Sequence, residues 1–139
     1  MRISAYDPAE PVVRRLQASD FNAAAYAQIS LGVVAIAFGI PPSEILSASR
    51  RVPVAFARQT AMYLLHVVFR MSLSRVGRAF GRDRTTASYA CHVVEDARDN
   101  AEIDALIEAC AVSLRSLPEL GPIQIAHAEK FLALPAAQR

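Results

Sequence analysis

The chain has 139 residues, which leaves room for about one domain with short extensions. Because 53% of the residues are hydrophobic and only five are glycine, the composition favours a helical domain with an ample core, and no strand-like alternation competes with it. The formal net charge is +2, but residues 50–84 alone carry +7, so the rest of the chain carries −5. This segregation excludes a uniformly solvated, evenly charged surface.

Helical periodicity predicts six helices, which follow an irregular N-terminal arm over 1–19. The uncharged run over 21–43 raises the question of a transmembrane helix, but its strictly apolar part, 31–42, is shorter than a bilayer requires. No signal-type cleavage pattern follows the charged N-terminal residues, so we expect no membrane association and a cytoplasmic, nucleoid-associated location. The predicted helices cover 20–38, 43–47, 54–70, 73–80, 84–98 and 101–116.

The fourth and fifth predicted helices have the spacing of a helix-turn-helix. Ser72 is a plausible N-cap for the fourth helix, Gly81 follows the point where it should end, and Asp83 can cap the fifth. In the fifth helix, the predicted core-facing positions are Thr86, Ala87, Ala90, Val93, Val94 and Ala97. The opposite face presents donors and small hydroxyls, namely Arg84, Thr85, Ser88 and His92. Such a face could contact base edges, although a capped surface helix in an all-helical protein would show the same spacing.

The charge pattern favours the DNA-binding interpretation. The +7 segment contains a single acid, Asp83, and all eight of its cations are arginine, which suits bidentate contacts to phosphate or guanine. For any one of these arginines taken alone, solubility is the default explanation. The eight arginines are Arg50, Arg51, Arg58, Arg70, Arg75, Arg78, Arg82 and Arg84.

The order of these motifs, from about residue 29 to 117, resembles the C-terminal DNA-binding domain of the chromosomal replication initiator DnaA. The similarity rests on ordered matches at an Ile-Leu-Ser segment over 45–47, the Arg50-Arg51 pair, residues 57–59 and 61–64, Ser72-Leu73, Gly77, Phe80-Gly81 and Arg82-Asp83-Arg84-Thr85-Thr86. The resemblance implies a compact all-α domain with a helix-turn-helix, of the TrpR and DnaA C-terminal type, over 20–117.

The resemblance also implies individual roles in binding double-stranded DNA. Arg50, with Arg51 beside it in a basic loop, would enter the minor groove, whereas Arg58 and Gln59 would hold the backbone. Arg82, Arg84, Thr85, Thr86 and Ser88 would face the major groove.

Three departures from the family pattern put the base preference in doubt. Arg84 stands where the family has histidine, Ala87 stands where it has valine, and one glycine is missing between Phe80 and Arg82. Since arginine prefers guanine, the target sequence need not be the initiator's own.

No cofactor, metal site or catalytic group is expected. Cys91 and Cys110 lack metal-ligand spacing, no nucleophile–base or carboxylate pair stands out, and no phosphate-binding G-x-x-x-x-G-K-[ST] occurs. We therefore expect a free-standing domain without ATPase or other enzymatic activity.

The last segment, 118–139, is predicted to be a tail with a short amphipathic helix over 123–134. This helix would either cover the core of the domain or bind a partner, including a second copy. The sequence as a whole predicts a sequence-preferring DNA-binding protein, either a transcriptional regulator or a modulator of replication at initiator-like sites. The alternative is an adaptor or antagonist that kept the fold and lost DNA binding.

Overall fold

The computed structural model describes residues 20–116, 130 and 132–138. These residues form six α-helices and one short 3₁₀-helix, with no strand among them, so the all-α prediction is confirmed. The predicted arm over 1–19 and most of the predicted helix over 123–134 lie outside the described residues. The helices are α1 (Asp20–Phe38), α2 (Pro42–Ile45), α3 (Val52–Val67), α4 (Leu73–Ala79), α5 (Arg84–Ala97) and α6 (Ala101–Arg115), and the 3₁₀-helix is Ala136–Gln138.

Helix α3 is the centre of the domain, and it packs against every other α-helix. It runs antiparallel to α1, since Ser30 Oγ donates a hydrogen bond of 3.0 Å to Ala61 O while Phe38 packs edge-on against Phe56, with 5.8 Å between ring centroids. Burial on almost all sides explains the near-continuous hydrophobic sequence of α3. Its buried residues are Val54, Ala57, Arg58, Thr60, Ala61, Met62, Tyr63, Leu64 and Leu65.

Helix α3 begins two residues earlier and ends three residues earlier than the sequence predicts. It begins at Val52 because Pro53 occupies the first turn, where a missing amide hydrogen costs nothing. It ends at Val67 because the chain reverses at Arg70, which adopts a positive φ of 53°. In this reversal His66 Nδ1 lies 2.7 Å from Met71 O, so the histidine ring holds the turn together.

The hydrophobic pattern predicted for α5 is confirmed. Ala87, Ala90 and Val94 are buried, and the flanking core-facing positions are half-buried. Helix α1 has the predicted bounds, and no described helix combines the length and apolar character needed to cross a bilayer.

Candidate nucleic-acid interface

Helices α4 and α5 form a tight helix-turn-helix whose turn is fixed by two glycines. Gly81 has a φ of +65°, a conformation that side chains rarely allow. Gly77 lies against the far side of the turn, where a methyl group would come within 2.7 Å of the Asp83 carbonyl carbon. The turn is closed by a hydrogen bond of 2.7 Å from Arg82 N to Gly77 O. The close approach sets how the N-terminus of α5 projects from the domain.

Both helices of the motif begin with the predicted caps. Ser72 Oγ accepts from Arg75 N at 3.3 Å, and Asp83 Oδ1 accepts from Thr86 N at 2.8 Å. The amide of Thr86 donates to the Asp83 carboxylate and lowers the pKa of that group, so it is ionised at neutral pH. The cap leaves Arg84 and Thr85 exposed on the first turn of α5, with Ser88 half-buried one turn later.

Arg58 is buried and has a structural role that the sequence does not reveal. Only 9% of it is exposed, and its guanidinium donates to three carbonyls, one at the last residue of α2 and two in the loop that follows. Nε donates to Ile45 O at 2.7 Å, and Nη2 donates to Ser47 O at 2.6 Å and to Ser49 O at 3.0 Å. Burial, followed by the charge of Arg82, lowers the pKa of Arg58. Only Nη1 has no partner among the described residues, so a contact between Arg58 and DNA stays a prediction that rests on this one group.

Arg82 joins the turn of the helix-turn-helix to the same loop. Its Nη1 donates to Phe80 O at 2.8 Å and its Nη2 donates to Ser47 O at 3.2 Å. Ser47 O therefore accepts from both Arg58 and Arg82. Because the two guanidiniums meet at one carbonyl, the basic loop and the start of α5 are held in a fixed relation.

The loop that carries Arg50 and Arg51 is further ordered by two serines. Ser49 N donates to Ser47 Oγ at 3.2 Å, and Arg51 N donates to Ser49 Oγ at 3.3 Å. Arg51 forms a solvent-exposed ion pair of 3.4 Å with Glu44, which contributes little stability. Arg50 is exposed and makes no hydrogen bond or ion pair with the described part of the chain. The structure thus presents Arg50 to solvent on a loop that its neighbours hold.

Gln59 lies apart from the loop carbonyls and lines a groove between α3 and α5. The groove has a volume of about 500 Å³, and Arg50 stands on its border. Exposed Tyr89 and Val52 line the same groove, and neither is among the site residues predicted from the sequence. Tyr89 lies four residues after Thr85 on the polar face of α5, and this spacing would have been enough to predict it as a site residue.

Glu95, near the end of α5, belongs to a separate network of hydrogen bonds and ion pairs. Tyr63 Oη donates to Glu95 at 2.7 Å, and Arg98 donates to Tyr63 Oη, Asp104 and Glu108. Burial and the bond to Glu95 raise the pKa of Tyr63. Because Arg98 engages α3 and α6 at once, this network fixes the C-terminal end of α5 at the domain and leaves its N-terminal end exposed.

Residues 30–94 match the family described as the bacterial DnaA protein helix-turn-helix. This part of the chain is similar to the DnaA helix-turn-helix. The chromosomal replication initiator protein DnaA of Thermus thermophilus is 40% identical over 83 residues, which are 55% of this chain and 19% of that protein.

Two other relatives give the same picture. The DnaA protein of Synechocystis is 42% identical over 69 residues, covering 49% of this chain and 15% of its own length. The protein DnaA 2 of Chlamydia trachomatis is 37% identical over 75 residues, which cover 54% of this chain and 16% of that protein. The chain therefore spans less than a fifth of the length of these relatives, and the similarity falls on the helix-turn-helix part.

Proposed function

We propose that this protein binds double-stranded DNA with a sequence preference, and that it acts as a transcriptional regulator or as a modulator of replication at initiator-like sites. The observation that carries the proposal is the placement of Arg84 and Thr85 on the exposed first turn of α5, beside a loop that presents Arg50. The similarity to the DnaA helix-turn-helix supports DNA as the ligand.

In this proposal the two exposed arginines have different tasks. The N-terminal turn of α5 enters the major groove, where Arg84 can donate two hydrogen bonds to one guanine and Thr85 can contact a neighbouring base. Arg50 enters the adjacent minor groove and senses its width. Thr86 and Ser88, which are half-buried, lie beside these contacts on α5.

Phosphate contacts hold the protein on the duplex. No side chain caps α3 and its first turn holds no acid, so the positive end of its dipole stands next to Arg50 and Arg51. Arg58 and Arg82 contribute mainly by fixing the loop and the turn, and Gln59 contacts the backbone from α3.

Such a protein acts by occupying its DNA sites at the nucleoid. Occupancy can block a site, recruit another protein to it, or compete with another protein for it. One helix-turn-helix gives modest affinity, so strong discrimination requires clustered sites, a second copy or a protein partner. We propose no catalytic step for it.

Selection from a randomised duplex pool at physiological salt tests the proposal. We expect wild-type protein to enrich one motif, and Arg84→Ala to bind that motif about 1–3 kcal/mol more weakly while discriminating less at one base pair. Arg78→Ala is the matched control, because it removes the same charge from an exposed position on α4 outside the proposed site. Equal weakening by Arg84→Ala on every sequence would assign Arg84 to phosphate instead.

The salt dependence of affinity separates this function from that of a protein adaptor. A DNA-binding protein loses affinity as salt rises, and log K falls by about 0.9 per phosphate contact for each tenfold increase in salt. If the selection enriches no motif and no salt-dependent DNA binding is measured, the adaptor function is favoured.

A further inference from the structure

The groove between α3 and α5 is a surface feature that the proposed contacts leave unexplained. Its walls are mostly apolar, from Val52 and Phe56 on α3 and from Tyr89 and Val93 on α5, while Arg50 and Gln59 stand on its border. No described acidic side chain lines it. We call this feature the α3–α5 groove.

Two large side chains in the α3–α5 groove are unusually exposed. Val52 is 79% exposed and Tyr89 is 64% exposed, although both lie in a domain that buries most of its large hydrophobic residues. The Tyr89 hydroxyl makes no hydrogen bond with any described residue. Contiguous exposed apolar surface of this kind marks a binding surface, and the unused hydroxyl adds a donor to it.

The position of Tyr89 connects the groove to the proposed DNA contacts. Thr85 and Tyr89 are four residues apart on α5, so they share one face of the helix. When the first turn of α5 lies in the major groove and Arg50 lies in the adjacent minor groove, the strand between the two grooves must pass the surface between them. Because Arg50 and Tyr89 both line the α3–α5 groove, the groove extends from the loop of Arg50 to the face of α5 that Thr85 shares.

We propose that the α3–α5 groove receives the sugar–phosphate backbone of this strand, with the Tyr89 hydroxyl donating to a phosphate and Val52 packing against a deoxyribose. This inference rests on the proposed function and adds a residue and a ligand group to it. Charge complementarity selects the occupant, because arginine borders the groove and acids are absent from its described lining. Tyrosine is one of the side chains that bind phosphate oxygens and position a protein on DNA.

The first test compares Tyr89→Phe with wild type on the duplex that the selection enriches. The variant keeps the ring and loses only the hydroxyl, so the fold is preserved. We expect affinity to fall about 3- to 10-fold on every duplex sequence, which corresponds to one hydrogen bond. The salt dependence should stay unchanged because tyrosine carries no charge, whereas Arg50→Ala removes a cation from the minor groove and should make the dependence shallower.

The second test locates the phosphate. Each phosphate of the duplex is replaced in turn by a neutral methylphosphonate, and binding is measured with wild-type protein and with Tyr89→Phe. At one position we expect the replacement to weaken DNA binding by wild type clearly and to weaken binding by Tyr89→Phe little further. The reason is that each change removes the same hydrogen bond between Tyr89 and the phosphate. Additive losses at all positions would overturn the assignment.

A matched pair of truncations tests the apolar wall. Val52→Ala should weaken DNA binding about twofold, while Ile36→Ala, at an equally exposed position on α1, should leave it unchanged. If wild type binds DNA and Tyr89→Phe binds it equally well, the groove proposal fails and a protein becomes its occupant. If wild type binds no duplex, the proposed function fails as well.

Discussion

Four arginines of the +7 segment form two pairs with opposite orientations. Arg58 and Arg82 point inward and donate five hydrogen bonds to backbone carbonyls of the domain. Arg50 and Arg84 are exposed and have no partner among the described residues. The inward pair positions the two segments that present the outward pair. The local positive charge is therefore partly structural, and counting arginines overestimates the number available to DNA.

The largest effect expected from this comparison is the destabilisation caused by Arg58→Ala. The change removes three hydrogen bonds and leaves the carbonyls of Ile45, Ser47 and Ser49 without that donor, so we expect unfolding free energy to fall by about 3 kcal/mol. Urea denaturation measures this loss.

The control for Arg58→Ala is the same substitution at an outward arginine. Arg84→Ala should change the unfolding free energy by less than about 0.5 kcal/mol, since it removes no intramolecular bond. Arg58→Lys should recover less than half of the loss, because a single ammonium cannot reach all three carbonyls. A stability loss below about 1 kcal/mol for Arg58→Ala would contradict the structural role.

The next largest effect is expected at Gly77, which fixes the turn that carries Arg82 and leads into Arg84. Gly77→Ala would place a methyl group against the Asp83 carbonyl, and we expect a loss of about 2 kcal/mol from overpacking. Gly32→Ala is the matched control inside α1, where nothing lies within 4 Å of the new methyl group. There we expect a gain of about 0.5–1 kcal/mol from helix propensity. Thermal unfolding of both variants would show whether the stability loss at Gly77 comes from its close approach to Asp83 or from replacing any helical glycine.

The fold was more predictable from sequence than the orientation of the arginines. Core positions of α5 follow from its 3.6-residue period, and its start follows from the Asp83 cap, so both were predicted correctly. The end of α3 was missed because Arg70 adopts a backbone conformation that few residues other than glycine adopt.

The partners of the inward arginines come from distant parts of the chain. Arg82 donates to a carbonyl 35 positions earlier, and Arg58 to carbonyls 9 to 13 positions earlier. No local pattern in the sequence encodes such a contact. For the same reason the α3–α5 groove, which forms where two helices meet, could not be predicted from either helix alone.

Arg82→Ala is expected to have an intermediate effect, because its two hydrogen bonds lie at the edge of the fold. We expect a loss of about 1 kcal/mol in unfolding free energy and a larger proportional loss of DNA affinity, since the loop and the turn would no longer share a link through Ser47 O. Comparing denaturation with duplex binding separates the two effects. If stability and affinity are both unchanged, Ser47 O does not couple the two segments.

The smallest effect is expected for Asp83→Asn, which tests the one acid in the +7 segment. Asparagine caps helices as well as aspartate does, so the variant should unfold at nearly the same urea concentration at pH 7. The pKa of Asp83 is lowered in the fold by the Thr86 amide, so its stabilisation is present above the unfolded value of about 3.9 and is lost as pH falls through the folded value. Wild type should therefore lose more stability than the variant below about pH 4. Equal acid sensitivity would assign the effect to other carboxylates such as Glu108, whose pKa is lowered by hydrogen bonds from Arg98 and Arg115. In that case the charge of Asp83 would add nothing to the hydrogen bond that its side chain accepts from Thr86 N.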